Sequence, residues 1–352
     1  MRRALKSVPV ISVIVPVHNG GHQFEQALDA LIASDFAAHE IIVVDDGSTD
    51  ASAARAEARG VRVLRLASRR GTAAARNHGA RHARGRLLVF VDADVVVRRE
   101  TLSRVDAHFQ TQTHVAAVFG SYDDAPAATN FISQYKNLLH HFVHQQGSPS
   151  AETFWAGCGA VRRDAFEAIG GFDETRYVEP SIEDIELGYR LRRRGFVVVL
   201  ERELQVKHLK RWTLASLLRA DVWQRAIPWS RLILESRGMI NDLNLRVRER
   251  VCAMLSGCGV VLAALTYFYP SLLAGTLVCL VAVFLLNLRL LRFFNARRGA
   301  WFASRAFVMQ CLYYFYSGTV FALCYFAHTL RRALARVRLI RPATAAGSVN
   351  DA

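Results

Sequence analysis

Pairs of acidic side chains follow two short apolar runs, and this arrangement constrains the fold more than any other feature of the sequence. Asp45 and Asp46 follow the run EIIVV, and Asp92 and Asp94 follow the run RLLVFV. Both runs are typical of strands buried on both faces of a parallel sheet. Ligands of open α/β sheets bind at the carboxyl ends of the strands, so we expect these carboxylates at one edge of a sheet.

Residues 1–120 alternate apolar runs with segments in which apolar residues recur at helical spacing. That order is typical of a parallel sheet with crossover helices, the architecture of nucleotide-binding α/β domains. Strands are predicted at residues 10–15, 40–44, 61–66, 87–91 and 115–122, and helices at 24–33, 51–59, 72–83 and 100–110.

Residues 123–235 follow a less regular order and complete a predicted catalytic domain over residues 1–235. Residues 213–234 form an amphipathic pattern rich in tryptophan and arginine, which is typical of a helix lying at a membrane surface. Residues 236–250 are predicted to be a linker. The other predicted elements are helices at 130–144, 164–169 and 183–194 and strands at 153–162 and 197–200.

The C-terminal region, residues 251–330, contains long apolar stretches. Residues 251–269 and 272–291 each approach the roughly 20 residues that a membrane helix needs, so both are predicted to span, with a buried hairpin as the alternative. Residues 306–329 form a third apolar helix with arginine clusters on both sides, which leaves a true span and a re-entrant helix equally open. Residues 331–352 are predicted to be a basic segment followed by a disordered tail.

The formal net charge of +15 suggests a polyanionic partner. The arginines concentrate beside the apolar helices and the sequence contains no recognisable nucleic-acid-binding module, so we predict membrane lipids and no nucleic acid as partners. Residues 1–7 are basic, but the apolar run after them is too short for a signal peptide. The sequence therefore predicts a multi-pass protein of the cytoplasmic (inner) membrane whose catalytic domain faces the cytoplasm.

The Asp92-Ala93-Asp94 motif ends one of the buried strands. Mg²⁺ and Mn²⁺ prefer carboxylate oxygens, and either ion can neutralise charge on a departing diphosphate. Because Asp also suits strand-to-loop turns, turn formation is the alternative role. His208 follows the last predicted strand. Neutral imidazole joins carboxylates on Mn²⁺ more readily than on Mg²⁺, although a lone histidine is more often structural.

Two further motifs carry candidate nucleotide contacts. Asp45 and Asp46 can accept hydrogen bonds from a base or ribose, or can belong to a helix start capped by the polar residues that follow. Arg76 and Asn77 lie on the next strand-to-helix junction, where they can donate to a base or phosphate, unless Arg76 is simply solvated.

Glu183 and Asp184 begin a predicted helix. Carboxylates at a helix N-terminus are stabilised by the helix dipole, so capping is one role for this pair. In the catalytic interpretation, Asp184 is the general base that deprotonates an acceptor hydroxyl, and Glu183 helps to hold the acceptor.

Together these segments resemble the inverting glycosyltransferases of family 2, which have the GT-A fold, over residues 8–235. The combination is far more specific than any single motif. It comprises ISVIVP at 11–16, His18 and Asn19, VVDDGSTD at 43–50, GTAAARNHGARHARG at 71–85, VDADV at 91–95, GGFDE at 170–174 and EDIELGYRLRRRG at 183–195.

The resemblance implies roles for particular residues. Asp184 would be the base beside Glu183, and Trp155 and Gly157 would lie on the acceptor side. Asp94 would bind the metal, with His208 as the further ligand argued above. Nucleotide contacts would fall on Pro16, Asn19, Asp45 or Asp46, Arg76, Asp92 and Ala93.

Two departures from the family narrow the prediction. Processive members carry Q-x-x-R-W, whereas this chain reads QRAIPW at 224–229, which favours a non-processive enzyme. Polyprenyl-phosphate sugar synthases often continue D-A-D with Leu-Gln-x-Pro, whereas this chain continues VVVR at 95–98. That difference disfavours the polyprenyl-phosphate alternative but does not exclude it.

The sequence therefore predicts a GT-A-type nucleotide-binding α/β domain followed by a C-terminal α-helical membrane region. The predicted activity is metal-dependent, inverting transfer from a nucleotide-diphosphate sugar to a hydroxyl of a lipid-linked or membrane-associated acceptor, with Mg²⁺ or Mn²⁺ as cofactor. The alternatives are a polyprenyl-phosphate glycosyltransferase, a nucleotidyltransferase and a non-catalytic membrane protein that binds nucleotide sugars.

Overall fold

Eight strands form one mixed sheet in a computed structural model that describes residues 8–236 and 241–340, with side chains to residue 335. The last part of the predicted tail, residues 341–352, and part of the predicted linker lie outside the described residues. The strand order is β3-β2-β1-β4-β7-β6-β8-β5. The strands are β1 (Ile11–Val17), β2 (His39–Asp45), β3 (Arg62–Arg65), β4 (Leu87–Val91), β5 (Val95–Val96), β6 (Val115–Tyr122), β7 (Cys158–Arg162) and β8 (Val197–His208).

The first half of the sheet is parallel. Strand β1 pairs with β2 and β4, and β2 pairs with β3, all in parallel. Both β1 and β4 are buried along their whole length, as expected for strands covered by helices on both faces. The carboxyl ends of these strands meet at one edge, where Val17 is in register with Asp45. The covering helices are α1 (Gly21–Ile32), α2 (Ser52–Ala58), α3 (Thr72–His82) and α4 (Thr101–Thr111).

The second half of the sheet mixes directions. Strand β7 runs antiparallel to β4 and β6, and β5 runs antiparallel to β8, with Val95 opposite His208. The predicted strand at 153–162 begins only at Cys158, because the preceding residues turn towards the helix that starts at Glu183. Strand β8 continues well beyond the predicted residues 197–200 and thereby carries His208 to the sheet edge.

The helices after β6 are α5 (Phe131–Gln145), α6 (Arg163–Ala168) and α7 (Glu183–Arg193). The single amphipathic helix predicted at 213–234 is instead three pieces. They are α8 (Leu214–Arg219), a π-helical segment (Ala220–Ala226) and α9 (Ile227–Ser236). The π-helical segment carries Asp221, whose buried carboxylate accepts from Lys136 of α5 at 2.6 Å and from Tyr316 at 2.7 Å. These bonds join the segment to the C-terminal helices.

The C-terminal region consists of α10 (Val247–Leu265), α11 (Leu272–Leu286), α12 (Leu288–Arg298) and α13 (Ala300–Ile340). The predicted span at 272–291 is not one straight helix, because the chain bends by 64° between α11 and α12. The buried Asn287 at the bend donates to Val283 O at 2.8 Å and accepts from Tyr314 at 2.9 Å. The bend lets Leu290 and Phe294 of α12 join a buried cluster with α5.

By length and composition, one described helix is apolar enough to cross a membrane, over Ala300–Ala335. It contains the predicted helix at 306–329. The bent pair α11 and α12 would add a second span only if it crosses as one broken helix. Many large apolar side chains of the helical region are exposed, among them Met254, Val278 and Phe326 at 63%, 68% and 66% of their surface.

Candidate active site

Arg76 of α3 joins two of the predicted acidic motifs. Its guanidinium donates to Asp92 Oδ1 at 2.7 Å and to Glu183 Oε1 at 2.8 Å, while only 4% of the residue is exposed. Helix α3 can start here because Gly71 has φ +87° and a Cβ at this position would lie 1.9 Å from Val178 O. The end of β4 and the start of α7 are therefore held together by one buried cation.

Glu183 is bound on both carboxylate oxygens. Besides Arg76, the Thr72 hydroxyl donates to Oε1 at 2.6 Å and Ser181 N donates to Oε2 at 2.8 Å. Burial opposes ionisation of this carboxyl, but the Arg76 charge and these hydrogen bonds outweigh it and lower its pKa. Glu183 is therefore an ionised anchor within the protein, with its oxygens already occupied.

Asp184, the next residue, has the opposite electrostatics. Burial and the neighbouring Glu183 charge raise its pKa to about 6, although Arg76 partly offsets them. Ala156 N donates to Oδ2 at 3.1 Å and Ile185 N to Oδ1 at 2.8 Å, which fixes the carboxylate at the start of α7. A carboxylate with a pKa of about 6 is better matched to accepting a proton near neutral pH than an ordinary Asp.

Asp92 and Asp94 lie in different environments although one residue separates them. Burial, with the nearby Asp94 charge, raises the pKa of Asp92 against the opposing effect of Arg76. The pKa of Asp94 is lowered, because its hydrogen bond and charge interaction with His208 outweigh burial. His208 Nε2 lies 3.4 Å from Asp94 Oδ2, and the His208 ring stacks on Tyr122 with centroids 4.3 Å apart.

Asp94 and His208 together form a set of donors that suits a divalent cation. Within the described residues no group of three or more His, Cys, Asp or Glu side chains could enclose a metal ion. Two protein ligands are nevertheless enough for Mg²⁺ or Mn²⁺ where a substrate diphosphate supplies further oxygens, since such ions are commonly held by one or two carboxylates, water and phosphate. The residues present therefore fit the predicted metal.

The structure separates the two aspartates at the end of β2. Asp46 accepts from Arg70 N at 2.6 Å and from Gly71 N at 2.8 Å, so both of its oxygens hold the loop that starts α3. Asp45 accepts from Ser48 N at 2.9 Å with Oδ1. Asp45 thus has the oxygen Oδ2 to offer a ligand, whereas Asp46 is committed to the backbone.

The remaining predicted nucleotide residues have varied surroundings. Pro16 is buried within β1, and Ala93 is half-buried between the two aspartates of the motif. Asn19, with φ +53°, accepts from Thr49 N at 2.8 Å and from Asp50 N at 3.1 Å, and so ties the loop after β1 to the loop after β2. The contacts of Asn19 are those of a residue that positions a loop.

The predicted acceptor-side loop lies against an aromatic cluster. The Trp155 ring contacts those of Tyr122, His140 and His144 at centroid distances of 4.9, 4.8 and 5.7 Å. Gly157 has no room for a side chain, because a Cβ would lie 2.4 Å from the Trp155 ring, and its carbonyl accepts from Asp92 N at 3.3 Å. The loop therefore packs between Asp92 and the aromatic rings.

The histidines of α5 are more buried than their sequence pattern indicates. The helical spacing of His140, His141 and His144, with no Glu or Cys nearby, predicts a surface face, but His141 and His144 are only 7% and 6% exposed. Thr72 and Tyr122 were missed as parts of the site. Thr72 is the second residue of the motif at 71–85, where its position before an apolar helical run predicts only a helix cap. Tyr122 ends a buried strand at the same sheet edge, a position that could have indicated it.

Residues 12–170 match the family model described as "Glycosyl transferase family 2". These residues form a glycosyltransferase family 2 domain. The domain includes Asp45, Arg76, Asp92 and Asp94, while Asp184 lies beyond the matched range. The resemblance noted in the sequence is thereby confirmed.

Curated relatives match the chain over limited lengths. "Uncharacterized glycosyltransferase YibD" of Escherichia coli (strain K12) is 39% identical over 95 residues, which cover 26% of this chain and 27% of that protein. An "Uncharacterized glycosyltransferase" of Haemophilus influenzae is 30% identical over 121 residues, 33% of this chain and 48% of that protein. "Validoxylamine A glucosyltransferase" of Streptomyces hygroscopicus subsp. jinggangensis is 27% identical over 241 residues, 58% and 56% of the two chains. The chain thus spans less than two thirds of these relatives.

Solved structures show the same fold. Mannosyltransferase PcManGT from Pyrobaculum calidifontis, in complex with GDP-Man and Mn²⁺, superposes with a TM-score of 0.53 at 19% identity, covering 91% of this chain and 86% of that one. S. aureus TarS 1-349, in complex with UDP-GlcNAc, gives 0.51 at 18% identity, covering 68% and 69%. At these identities the likeness establishes the fold alone, and the predicted GT-A-type α/β domain with a C-terminal helical region is confirmed.

Proposed function

We propose that the protein is a membrane-anchored, non-processive, inverting glycosyltransferase that moves a sugar from a nucleotide-diphosphate sugar to a hydroxyl of a lipid-linked or membrane-associated acceptor. The observation that carries this proposal is the contrast between Glu183 and Asp184. One carboxylate is neutralised by Arg76, and the next has a pKa raised to about 6 and lies beside the predicted acceptor loop.

The transfer itself needs one proton acceptor and one leaving group. Asp184 takes the proton from the acceptor hydroxyl while the hydroxyl oxygen attacks the anomeric carbon from the face opposite the diphosphate. The bond between that carbon and the diphosphate oxygen breaks, the nucleoside diphosphate leaves with the electron pair, and the anomeric configuration inverts. Ala156 N and Ile185 N keep Asp184 in place, while Glu183 and Arg76 do not exchange protons.

The donor would lie along the sheet edge between Asp45 and Asp94. Asp45 accepts hydrogen bonds from the base or ribose with the oxygen that Ser48 N does not use. Asp92, oriented by Arg76, contacts the ribose. A bound Mg²⁺ or Mn²⁺ on Asp94 and His208 would neutralise charge on the departing diphosphate.

Membrane attachment is proposed from the surface of the helical region. Exposed apolar side chains such as Met254, Val278 and Phe326 form an area that water does not favour, and areas of this kind mark membrane or protein contacts. Helix α13 is the strongest candidate span, and the bent pair of α11 and α12 is the second. We place the catalytic domain on the cytoplasmic face of the inner membrane, because arginines concentrate beside these helices.

The test is a donor panel incubated with detergent-purified full-length protein and either Mn²⁺ or Mg²⁺, with and without membrane lipid extract. We expect one nucleoside diphosphate to be released, the sugar to appear on a lipid-extractable product with inverted anomeric configuration, and Asp94→Ala to abolish both. Pyrophosphate release from nucleoside triphosphate and sugar phosphate would instead indicate a nucleotidyltransferase. Nucleotide binding with no turnover on lipid extract would overturn the proposal in favour of a binding protein.

A further inference from the structure

A cavity of about 990 Å³ separates the catalytic domain from the C-terminal helices. Its walls come from α5, the π-helical segment and α9 on one side and from α10 and α13 on the other. The volume is at the upper end of the range for small-molecule sites. This cavity does not contain any of the donor-site carboxylates described above.

The cavity is polar at one end and apolar at the other. The end nearest the catalytic domain contains the cations Lys136 and Arg225, which share the single carboxylate of Asp221. The other carboxylate there, Glu249, is paired with Arg248, so one positive charge is left over at this end. The opposite end is lined by apolar side chains from α10 and α13, namely Met254, Val261, Leu262 and Phe321. An occupant that suits both ends is an amphiphile with an anionic headgroup.

The two helices that line the apolar part run side by side in the same direction. Tyr314 of α13 donates to Glu249 of α10 at 2.6 Å, and one turn later a Cβ on Gly318 would lie 3.3 Å from Ala253 Cβ. From Glu249 to Leu262 the wall extends along about 20 Å of helix at 1.5 Å per residue. That length accommodates a substantial part of a lipid chain.

The charged end lies close to the catalytic base. His140 and His144 line the cavity, and their rings contact Trp155 at centroid distances of 4.8 and 5.7 Å. The residue after Trp155 is Ala156, whose N–H donates to Asp184. One aromatic ring therefore separates the headgroup end of the cavity from the base.

We infer that this cavity binds the lipid part of the acceptor, with a phosphate beside Lys136 and Arg225 and the hydrocarbon chain between α10 and α13. The inference rests on the proposed transfer to a lipid-linked acceptor and states where the lipid part of that acceptor binds. Arg225 is the adaptable contact, since its ion pair with Asp221 is 3.8 Å long and the side chain is 47% exposed. Lys136 is nearer to Asp221, at 2.6 Å, and lends its charge to the same end.

The chain supplies a variant that fills the cavity without disturbing its walls. Gly257 of α10 lines the cavity, and a Cβ built on it meets nothing within 4 Å. Gly257→Phe therefore places a ring in the space proposed for the lipid chain. Val278→Phe adds the same ring on α11, at a residue that is 68% exposed and does not line the cavity.

The experiment measures binding of geranylgeranyl phosphate to the full-length protein in detergent by calorimetry, with geranylgeraniol, inorganic phosphate and phosphatidylglycerol as the other ligands. We expect geranylgeranyl phosphate to bind, Gly257→Phe to weaken it at least tenfold and Val278→Phe to leave it unchanged. Arg225→Ala should weaken the phosphate ligand at least fivefold and leave geranylgeraniol unaffected. Equal binding by Gly257→Phe and the wild type would overturn the inference, as would equal affinity for phosphatidylglycerol.

Donor hydrolysis in the same preparations separates this inference from the proposed function. Gly257→Phe should retain metal-dependent release of nucleoside diphosphate from the donor, which also shows that it has folded. Donor hydrolysis without lipid-phosphate binding would contradict the assignment of the cavity and support the proposed transferase function. Lipid-phosphate binding that depends on the cavity, with no donor turnover, would support the assignment of the cavity and contradict the proposed transferase function.

Discussion

Arg76 donates to Glu183 Oε1 at 2.8 Å in the interior of the catalytic domain, and the same guanidinium reaches Asp92. A single cation therefore compensates two buried carboxylates from different motifs. The positive charge of Arg76 also favours the ionised form of Asp184. Burial and the neighbouring Glu183 charge act in the opposite direction and raise the pKa of Asp184 to about 6.

Replacing Arg76 with Gln should destabilise the fold by about 3–5 kcal/mol, because removal of one partner leaves buried carboxylates unpaired. The pKa of Asp184 should also rise, since Arg76 is the charge that lowers it. The measurements are chemical denaturation and the pH dependence of transfer. As a matched control, Arg69→Gln removes an exposed ion pair with Glu179 and should change stability by less than about 1 kcal/mol. Equal losses from both variants would contradict the assigned role of Arg76.

Asp184→Asn should lower kcat by about 10²–10⁴-fold, the usual contribution of a positioned general base. Nucleotide binding should be unchanged, because Asp184 contacts the acceptor loop and not the donor edge. Single-turnover transfer and nucleotide titration check the two halves of this prediction. Asp29→Asn, on the exposed side of α1, is the control and should retain full activity. Near-wild-type turnover by Asp184→Asn would exclude it as the base.

The activity of the wild type should rise with pH through about 6 and then level, because the ionised form of Asp184 is the active one. The ionisation of Asp184 has the opposite effect on the stability of the fold. A folded pKa raised above the unfolded value contributes stability at low pH that is lost as pH rises through about 6. The melting temperature of Asp184→Asn relative to wild type should therefore increase between about pH 4 and about pH 6 and then level. A difference that is constant over this range would contradict the raised pKa.

Asp94→Ala and His208→Ala should each weaken Mn²⁺ binding in the presence of nucleoside diphosphate by at least about 10-fold, the lower limit even for residues that only support a ligand. Titration of Mn²⁺ followed by electron paramagnetic resonance reports the metal without requiring turnover. His22→Ala removes an exposed histidine of α1 and serves as the control. If His208→Ala binds Mn²⁺ like the wild type, Asp94 holds the metal without His208 and the assignment of His208 as a ligand is wrong.

The two aspartates after β2 should respond differently to substitution by alanine. Asp46→Ala removes two hydrogen bonds from backbone N–H groups to a charged oxygen, each worth about 1.5–3 kcal/mol, so its main effect should be on unfolding. Asp45→Ala removes one such bond and the oxygen proposed for the nucleotide, so its main effect should be on nucleotide affinity. Chemical denaturation and nucleotide titration of both variants test these two assignments. A larger loss of affinity for Asp46→Ala would reverse the assignment.

The sequence was sufficient for those parts of the fold that local pattern determines. The runs before Asp45 and Asp92 are apolar on both faces, and strands of this kind must lie in the middle of a covered sheet. The sheet edge then brings the acidic motifs together. What local pattern could not give was the role of each carboxylate, because Asp46 is occupied by the backbone of a loop that starts 24 residues later.

Other features depend on contacts between distant segments. Residues spaced as His140 and His144 occupy the same helical face whether that face is solvated or covered, so spacing alone could not show that Trp155 covers it. The bend after α11 was missed for a similar reason. The apolar composition of the segment continues on both sides of Asn287. Only the hydrogen bond from Tyr314 to the Asn287 side chain reveals the break.

The bend at Asn287 also determines how the two parts of the molecule are mounted. The packing of α12 against α5 joins the catalytic domain to the apolar helices, and so do the bonds from Tyr316 to Asp221, from Tyr135 to Gln310 and from Arg298 to Gln134. A domain on a single flexible tether could search a range of heights above a bilayer, but one held at several places works at a single fixed height. If the apolar helices lie in a membrane as proposed, the reach of the enzyme is set by its own framework, and an acceptor hydroxyl much nearer to or farther from the lipid surface goes unmodified.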